Sequence, residues 1–207
     1  KDVNGLVERF ISRMDEKIMA HPDDCEAYFW RGVACSWNKK YSQAIADFSK
    51  AIEINDSCHF ALPYQYRGII YTYVIGEYEK AYKDYTRAIK LVPELSSKKP
   101  GRDSLYNEHT LSQHTLNSLY CERAISQYKL GNYDQAIADA NRVLAEENIT
   151  VTASGRKAYT LVIAGANRRL FEDDITVTED GRRAYRIRGC AYAKMGEKAK
   201  AMSDFNK

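Results

Sequence analysis

The chain has 207 residues and a formal net charge of +3, and 44% of its residues are hydrophobic and 29% charged. This composition is typical of a soluble helical protein and contains no run near the roughly 18 apolar residues that a membrane-spanning helix needs. The charge is too small to indicate nucleic-acid binding, so we expect no nucleic-acid partner and interpret the local clusters of Lys and Arg as solvated faces.

The first predicted element is an amphipathic helix. Residues 4–20 place apolar side chains on one face at helical spacing, namely Leu6, Val7, Phe10, Ile11, Met14 and Ile18. The sequence His-Pro-Asp-Asp at 21–24 then interrupts the pattern and ends the helix.

A fixed spacing of residues follows four times. Each copy has a Tyr, then Arg three residues later with Gly or Ala beside it, and further on an Ala that leads into Asp and an aromatic residue or Ala. The copies begin at Tyr28, Tyr64, Tyr120 and Tyr185. Such repetition indicates that a unit cannot bury its apolar face alone and must stack on its neighbours, which favours an extended binding surface over a closed pocket.

The copies define the expected domain boundaries. The four repeats are predicted at 25–58, 61–94, 115–148 and 179–207. The helix within 1–24 is either the second helix of a preceding repeat or a cap, and we favour the former. In the second repeat we expect the turn after Ile75 and Gly76 to be one residue longer than in the others.

Two segments interrupt the series. Residues 95–114 lack a sustained apolar period and are predicted to form an extended, mobile loop. Residues 149–178 contain the apolar run Leu161-Val162-Ile163-Ala164, which predicts an extra helix at 155–172, half a repeat that distorts the stack locally. Because the fourth copy stops at Lys207, early in its second helix, we expect the chain to be part of a longer array.

Small residues mark the places where two antiparallel helices would cross in each copy: Gly32 with Ala44, Gly68 with Ala81, Ala124 with Ala136, and Gly189 with Ala201. With the aromatic residues between them, this spacing resembles the tetratricopeptide repeat (TPR) family. The resemblance implies an all-α fold, in which antiparallel helix pairs form a right-handed superhelix, or α-solenoid. It also implies that the function is to bind another protein.

Two features depart from the usual pattern of the family. Tyr replaces Trp, and Arg stands where Leu is more common. Each Arg has an Asp 16 or 17 residues later, in the pairs Arg31 with Asp47, Arg67 with Asp84, Arg123 with Asp139, and Arg188 with Asp204. A guanidinium is a planar fork that a carboxylate accepts bidentately, so we expect an ion pair across the helices of each repeat. The alternative is a solvated surface pair.

The resemblance also predicts a binding surface, because first helices line the concave groove in this family. The predicted groove residues are Phe29, Trp30, Val33 and Trp37, then Gln65, Tyr66, Ile69 and Tyr73, then Glu122, Ile125 and Tyr128. Aromatic side chains dominate binding hot spots, so we expect a peptide or partner helix of apolar character. The alternative is that these side chains pack under the N-terminal helix or between repeats.

A subset of the family binds the acidic tails of heat-shock chaperones through Lys, Asn and Arg in three successive repeats. In this chain the corresponding positions hold Phe29, Val33, Tyr66, Ser118 and Glu122. The required cations are missing and an acid replaces one of them. We therefore do not expect chaperone-tail recognition.

The sequence contains no motif typical of a catalytic or metal-binding site. The five cysteines are odd in number and form no close CxxC pair, so we expect buried thiols, neither a disulfide framework nor a metal site, and a cytoplasmic location. There is no glycine-rich phosphate loop, nucleophile elbow or paired-carboxylate motif, so we expect no enzyme and no cofactor. The readings that remain, in order of preference, are a peptide-binding scaffold, a self-associating or structural spacer within a larger repeat protein, and a basic nucleic-acid surface.

Overall fold

The structure is a computed structural model that describes residues 3–56, 61–96, 108–146, 150–151, 157–163, 166–170 and 179–207. The chain divides into two compact units, unit 1 (Lys1–Leu119) and unit 2 (Tyr120–Lys207). The boundary between them lies inside a helix, Glu108–Lys129, called α6. No helix among the described residues is both long enough and apolar enough to cross a membrane.

Unit 1 is a series of helices, of which the first five α-helices each pack on the next. Its elements are α1 (Val3–Ala20), α2 (Cys25–Trp37), α3 (Tyr41–Ile54), α4 (Leu62–Ile70), a π-helical turn (Tyr71–Ile75), α5 (Tyr78–Ser96) and the first part of α6. Asp24 begins α2 as a cap, because its carboxylate accepts a hydrogen bond from the Ala27 amide at 3.0 Å. The pairs α2 with α3 and α4 with α5 are the first and second repeats.

Close helix crossing in unit 1 depends on glycine. A Cβ built on Gly32 would lie 2.8 Å from the Phe48 ring, and one on Gly68 would lie 2.7 Å from the Tyr85 ring. The two aromatic rings therefore occupy the space that a side chain would take. Ala44 and Ala81 are fully buried in the second helices of these pairs. The core forms because a missing side chain on one helix accommodates a large ring on the other.

We predicted that the extra residue of the second repeat lies in the turn. It lies instead inside the first helix of that repeat. The Gly76 amide bonds to the carbonyl of Tyr71, five residues back, at 2.8 Å, so Tyr71–Ile75 is wound as a π-helix. Gly76 has φ +80° and is followed two residues later by the next helix, just as Gly131 and Gly196 are in other repeats. The turn keeps its geometry because the helix absorbs the insertion.

Unit 2 contains the last part of α6, then α7 (Tyr133–Glu146), α8 (Glu179–Lys194) and α9 (Lys198–Phe205). Gly189 meets Phe205 as Gly32 meets Phe48, since a Cβ there would lie 2.6 Å from the ring. In the third repeat Ala124 stands in place of the glycine, and Ala140 stands in place of the large ring; both are fully buried. A larger residue on one helix is thus matched by a smaller one on the other.

The predicted helix at 155–172 is wrong. The structure has three antiparallel strands between α7 and α8, namely β1 (Thr150–Val151), β2 (Lys157–Ile163) and β3 (Ala166–Leu170), in the order β1-β2-β3. Tyr159 pairs with Leu170 and Ile163 with Ala166. A short apolar run fits a buried helix or a strand equally well, and β2 is rich in the β-branched and aromatic residues that favour strands.

The segment 95–114, predicted as a loop, is helical at both of its ends. Helix α5 continues to Ser96 and α6 begins at Glu108, while 97–107 lie outside the described residues. Residues 108–114 show no apolar period, yet they are helical because extending a helix that has already formed costs little. A period of apolar residues reveals a helix through its buried face. Helical residues that lack a buried face are therefore not detected from this period.

Cysteine chemistry differs from the expectation at one position. Cys25 is disulfide-bonded, whereas Cys35, Cys121 and Cys190 are free; the prediction for Cys58 lies outside the described residues. A disulfide requires proximity in the fold, which spacing along the chain does not reveal. Because disulfides persist in oxidising compartments, the bond at Cys25 removes the ground on which a cytoplasmic location was expected.

Candidate functional site

Each predicted Arg and Asp pair is brought together in the structure. Arg31 Nε donates to Asp47 Oδ2 at 2.9 Å and its Nη2 donates to Oδ1 at 2.6 Å. The other three pairs repeat this two-point geometry at 2.6 to 2.8 Å, namely Arg67 with Asp84, Arg123 with Asp139, and Arg188 with Asp204. The carboxylates are buried in all four, and Asp47 is only 2% exposed. The pairs are therefore internal and not solvated surface pairs.

The two departures from the family pattern form one arrangement. Each Arg guanidinium lies over the ring of the Tyr three residues before it, with 5.4 Å between the Arg31 Cζ atom and the Tyr28 ring centroid. The corresponding distances for the other three repeats are 5.7, 5.4 and 5.3 Å. Tyr thus supplies a cation–π contact to the Arg whose fork holds the Asp. Tyr in place of Trp and Arg in place of Leu belong to the same interaction.

In the first, second and fourth repeats a further contact joins the Arg to the helix before its own pair. Arg67 Nη1 donates to Ser49 Oγ of α3 at 2.7 Å, and Arg188 Nη1 donates to Asn141 Oδ1 of α7 at 2.5 Å. In the first repeat Arg31 Nη1 donates to Asp15 Oδ1 of α1 at 2.6 Å. The same guanidinium therefore closes its own helix pair and fixes the neighbouring helix against it.

The charge state of these groups follows from the contacts. Hydrogen bonds to Asp47 raise the pKa of Arg31 above its ordinary value, although burial opposes the shift. Burial lowers the pKa of Arg67, but its hydrogen bonds with Asp84 outweigh this effect and the net shift is upward. The guanidinium groups of Arg31 and Arg67 are thus charged at neutral pH.

Three of the predicted groove residues in unit 1 pack inside the protein and do not form an open surface. Phe29 and Val33 lie in the core of unit 1. Tyr66 of the next repeat covers Phe29, with 6.0 Å between the ring centroids, and also stacks on Phe48 at 5.8 Å. The prediction of an open groove is wrong at these positions, because the neighbouring repeat packs on the side chains. Gln65 and Ile69 are partly exposed.

The remaining aromatic residues predicted in the groove of unit 1 are open to solvent. Trp30 is 42%, Trp37 72% and Tyr73 56% exposed. Val74 and Ile75, which the sequence did not single out, are also exposed and lie in the π-helical turn. We call this set of five residues the apolar edge. The one signal that could have found Val74 and Ile75 is the extra residue in the second repeat, since π-turns often accompany functional sites.

The apolar edge lies on neighbouring first helices. Trp30 and Trp37 are two helical turns apart on α2 and therefore share a face. Trp37 is the last residue of α2, and Tyr73 lies in the π-helical turn that follows α4, so both rings lie at the C-terminal ends of successive first helices. The contact between Phe29 and Tyr66 shows that α2 and α4 adjoin. The edge can thus contact one ligand from two repeats.

Most of the groove residues predicted in unit 2 contact other residues of the same chain and do not form an open surface. Glu122 is buried, and Arg183 Nη2 donates to its Oε1 at 2.6 Å. Ile125 and Tyr128 pack against the core, and Tyr128 also contacts the Tyr133 ring at 5.7 Å. Glu122 therefore belongs to an internal ion pair and does not form part of an open ligand-binding surface. Sequence reasoning missed this pair because its members are 61 residues apart.

Two family models of the tetratricopeptide repeat match the chain, one at residues 25–58 and the other at 122–147. No curated protein matches it. Among solved structures, MamA is 17% identical with a TM-score of 0.65, over 100% of this chain and 88% of that chain. A putative kinesin light chain of Podosopora anserina with nearly identical TPR-like repeats is 12% identical with a TM-score of 0.62, over 98% and 85%.

These likenesses show the fold, because identity is too low to carry more. They confirm the predicted fold class of antiparallel helix pairs of the α-solenoid type. Repeats of this kind generally act as non-enzymatic scaffolds that bind other proteins. The segments 25–58 and 122–147 thus match tetratricopeptide repeats, and the helix pairs with small residues at their crossings agree with that match.

Proposed function

We propose that the chain is a protein-interaction scaffold that binds an apolar peptide or partner helix at the apolar edge of unit 1. The exposure of Trp37 and Tyr73 at the C-terminal ends of adjoining first helices is the observation that carries this proposal. A large aromatic side chain held in the open by a rigid helix contributes much contact area and loses little entropy on binding.

The chemistry of the ligand follows from what surrounds the edge. The five side chains of the apolar edge are aromatic or aliphatic and carry no charge. An uncharged surface of this kind favours apolar anchors over acidic tails. The missing cations of the chaperone-binding subset agree with this preference.

The second candidate function is a structural spacer that associates with further repeats. Exposed Met202 and Phe205 on α9 favour it, since an apolar helix face in a repeat array is a surface on which a neighbour packs. A spacer does not use the apolar edge. The two functions therefore differ in which residues they need.

The experiment uses a peptide selected from a random library on the immobilised chain. Its affinity is measured by titration of tryptophan fluorescence, because Trp30 and Trp37 are the only two tryptophans and both are exposed. The test variant is W37A/Y73A, and the matched control is M19A/M202A, which removes two exposed apolar side chains elsewhere.

We expect W37A/Y73A to weaken binding by about tenfold or more and M19A/M202A to leave it unchanged. Circular dichroism should show the same helicity for all variants. Equal affinity of the native chain and W37A/Y73A would contradict the proposal. If, in addition, M19A/M202A changes the oligomeric state, the spacer function is favoured.

A further inference from the structure

Helix α1 meets the first repeat in the register of a second helix. Asp15 accepts from Arg31 in the place where Ser49 accepts from Arg67 and Asn141 from Arg188. Four residues before each acceptor stands an Ile, namely Ile11, Ile45 and Ile137. Toward α2, α1 therefore resembles the second helix of a repeat.

The opposite face of α1 does not follow the repeat. Two residues before the acceptor, the other second helices have Asp47 and Asp139, which hold the Arg of their own first helix, but α1 has Arg13. Five residues before the acceptor they have a buried Ala, but α1 has Phe10. A first helix of the type found in this chain would bring a second Arg against Arg13 and would meet a ring where it needs a small residue.

This face is apolar and basic. Leu6 is 57% and Phe10 40% exposed. Arg9 and Arg13 are exposed beside them, and neither has an ion-pair partner among the residues whose side chains the structure describes. Glu8 forms an ion pair with Lys40, and Asp15 forms one with Arg31, so neither acid neutralises the positive charge of this face. Glu16 is the exposed acid closest in sequence to Arg13 apart from these two.

We propose that the outer face of α1, formed by Leu6, Arg9, Phe10 and Arg13, binds an amphipathic helix of another protein. That helix carries a carboxylate where the first helices of this chain carry Arg. The proposal rests on charge complementarity and on the contact between first and second helices seen elsewhere in this chain. There an Arg of the first helix pairs with an Asp of the second helix, whereas here a carboxylate of the partner helix pairs with Arg13 of α1. Exposed Leu6 and Phe10 supply the apolar contact area, and the surface is separate from the apolar edge.

The probe is a synthetic peptide with the 22-residue sequence of α6, which is itself a first helix, carrying the change R123E. The matched probe is the same peptide with Arg123 retained. Each is titrated against the full chain, and binding is followed by NMR shifts of amides in α1. The chain variant R13E reverses the charge of the face, R13Q neutralises it, and K83E makes an equal charge change at an exposed site on α5.

We expect the native chain to bind the R123E peptide about fivefold more tightly than the Arg123 peptide, with shifts centred on Leu6 and Phe10. The chain variant R13E should reverse this preference, R13Q should abolish it, and K83E should leave it unchanged. Arg13 is exposed, so its variants should retain the helicity of the native chain.

The proposal is overturned if the two peptides bind equally, if the preference survives R13E and R13Q, or if neither peptide binds at about 1 mM. Shifts centred on Trp37 and Tyr73 would also overturn it, because they assign the peptide to the apolar edge. Sedimentation is run in parallel. A dimer of the native chain that dissociates in R13E would show that a second copy, and not another protein, occupies the face.

Discussion

Arg188 Nη1 donates a hydrogen bond to Asn141 Oδ1 at 2.5 Å, although 47 residues separate the two in sequence. Arg67 makes the same contact to Ser49 across 18 residues. The segment that contains the three strands is therefore inserted between α7 and α8 without altering how these helices meet. The distortion of the stack that we expected from this segment is absent at this contact, because the insertion leaves the residues of the helix interface unchanged.

The ion pair of Arg31 and Asp47 should show strong coupling in a double-mutant cycle. We expect R31A to cost about 3–5 kcal/mol in the free energy of unfolding, because it leaves a buried carboxylate without its partner. D47A should cost less, since Asp15 still accepts from Arg31. The free energies come from urea unfolding, and a coupling energy above about 1 kcal/mol is expected.

The control is the exposed pair of Lys50 and Glu53, which lie on one helix surface with 2.9 Å between Nζ and Oε1. We expect no measurable coupling there, because solvent screens the two charges. Equal coupling in the two cycles would show that burial does not strengthen the internal pair.

The contact between Gly32 and Phe48 should make G32A destabilising. A Cβ at this position would lie 2.8 Å from the ring, so we expect a loss of about 1–3 kcal/mol in the free energy of unfolding. The penalty should be smaller in an F48A background, which imitates the natural combination of Ala124 and Ala140. Thermal and urea unfolding of the native chain, the two single variants and the double variant measure both values.

Gly131 provides the control for this cycle. Its φ is +83° and nothing lies within 4 Å of a Cβ built on it, so G131A acts through backbone strain alone. Its penalty should be the same whether Phe48 is retained or the F48A change is present. If G32A also reduces the free energy of unfolding by the same amount with and without the F48A change, the steric explanation is wrong.

The π-helical turn should be removable. Deletion of Val74 would reduce the separation of Arg67 and Asp84 from 17 to the 16 residues found in the other pairs. We expect Tyr71–Ile75 to become α-helical and the free energy of unfolding to change by less than about 1 kcal/mol. Deletion of Ser36 in α2 is the matched control, and it should destabilise strongly because it shortens a regular pair by one residue. A collapse of stability on deletion of Val74 would mean that the turn is structurally required.

Tyr64 should make stability depend on pH in the alkaline range. Burial, together with a hydrogen bond to Asp56, raises the pKa of Tyr64 from 10.0 to about 12. The folded state thus retains the phenol proton, so the contribution is complete below pH 10 and is lost as pH rises from 10 to about 12. The shift corresponds to at most about 2–3 kcal/mol.

The measurement compares the native chain with Y64F by urea unfolding at about pH 9 and about pH 11.5, on either side of the unfolded pKa. The native chain should lose more stability than Y64F between these values, because Phe has no proton to release. Parallel losses in the two proteins would mean that other groups account for the alkaline effect.

The groove shows how far sequence reasoning can reach. Spacing along a helix predicted which residues share a face, and of the predicted groove residues Trp30, Trp37 and Tyr73 are exposed. It could not predict that Tyr66 covers Phe29, or that Arg183 engages Glu122. Burial depends on the side chains of neighbouring repeats, and these are distant in sequence.

The amino-acid sequence alone determined the helix pairs, the small residues at their crossings and the resemblance to the tetratricopeptide repeat, because these features recur at short, fixed intervals that correspond to the helix period. The tertiary structure alone decided the strands at 157–163 and 166–170, the π-helical turn, the bonded state of Cys25 and which apolar side chains face solvent. The physical reason is that an apolar run, an inserted residue or a cysteine is compatible with several local conformations, and only packing against the rest of the chain selects one.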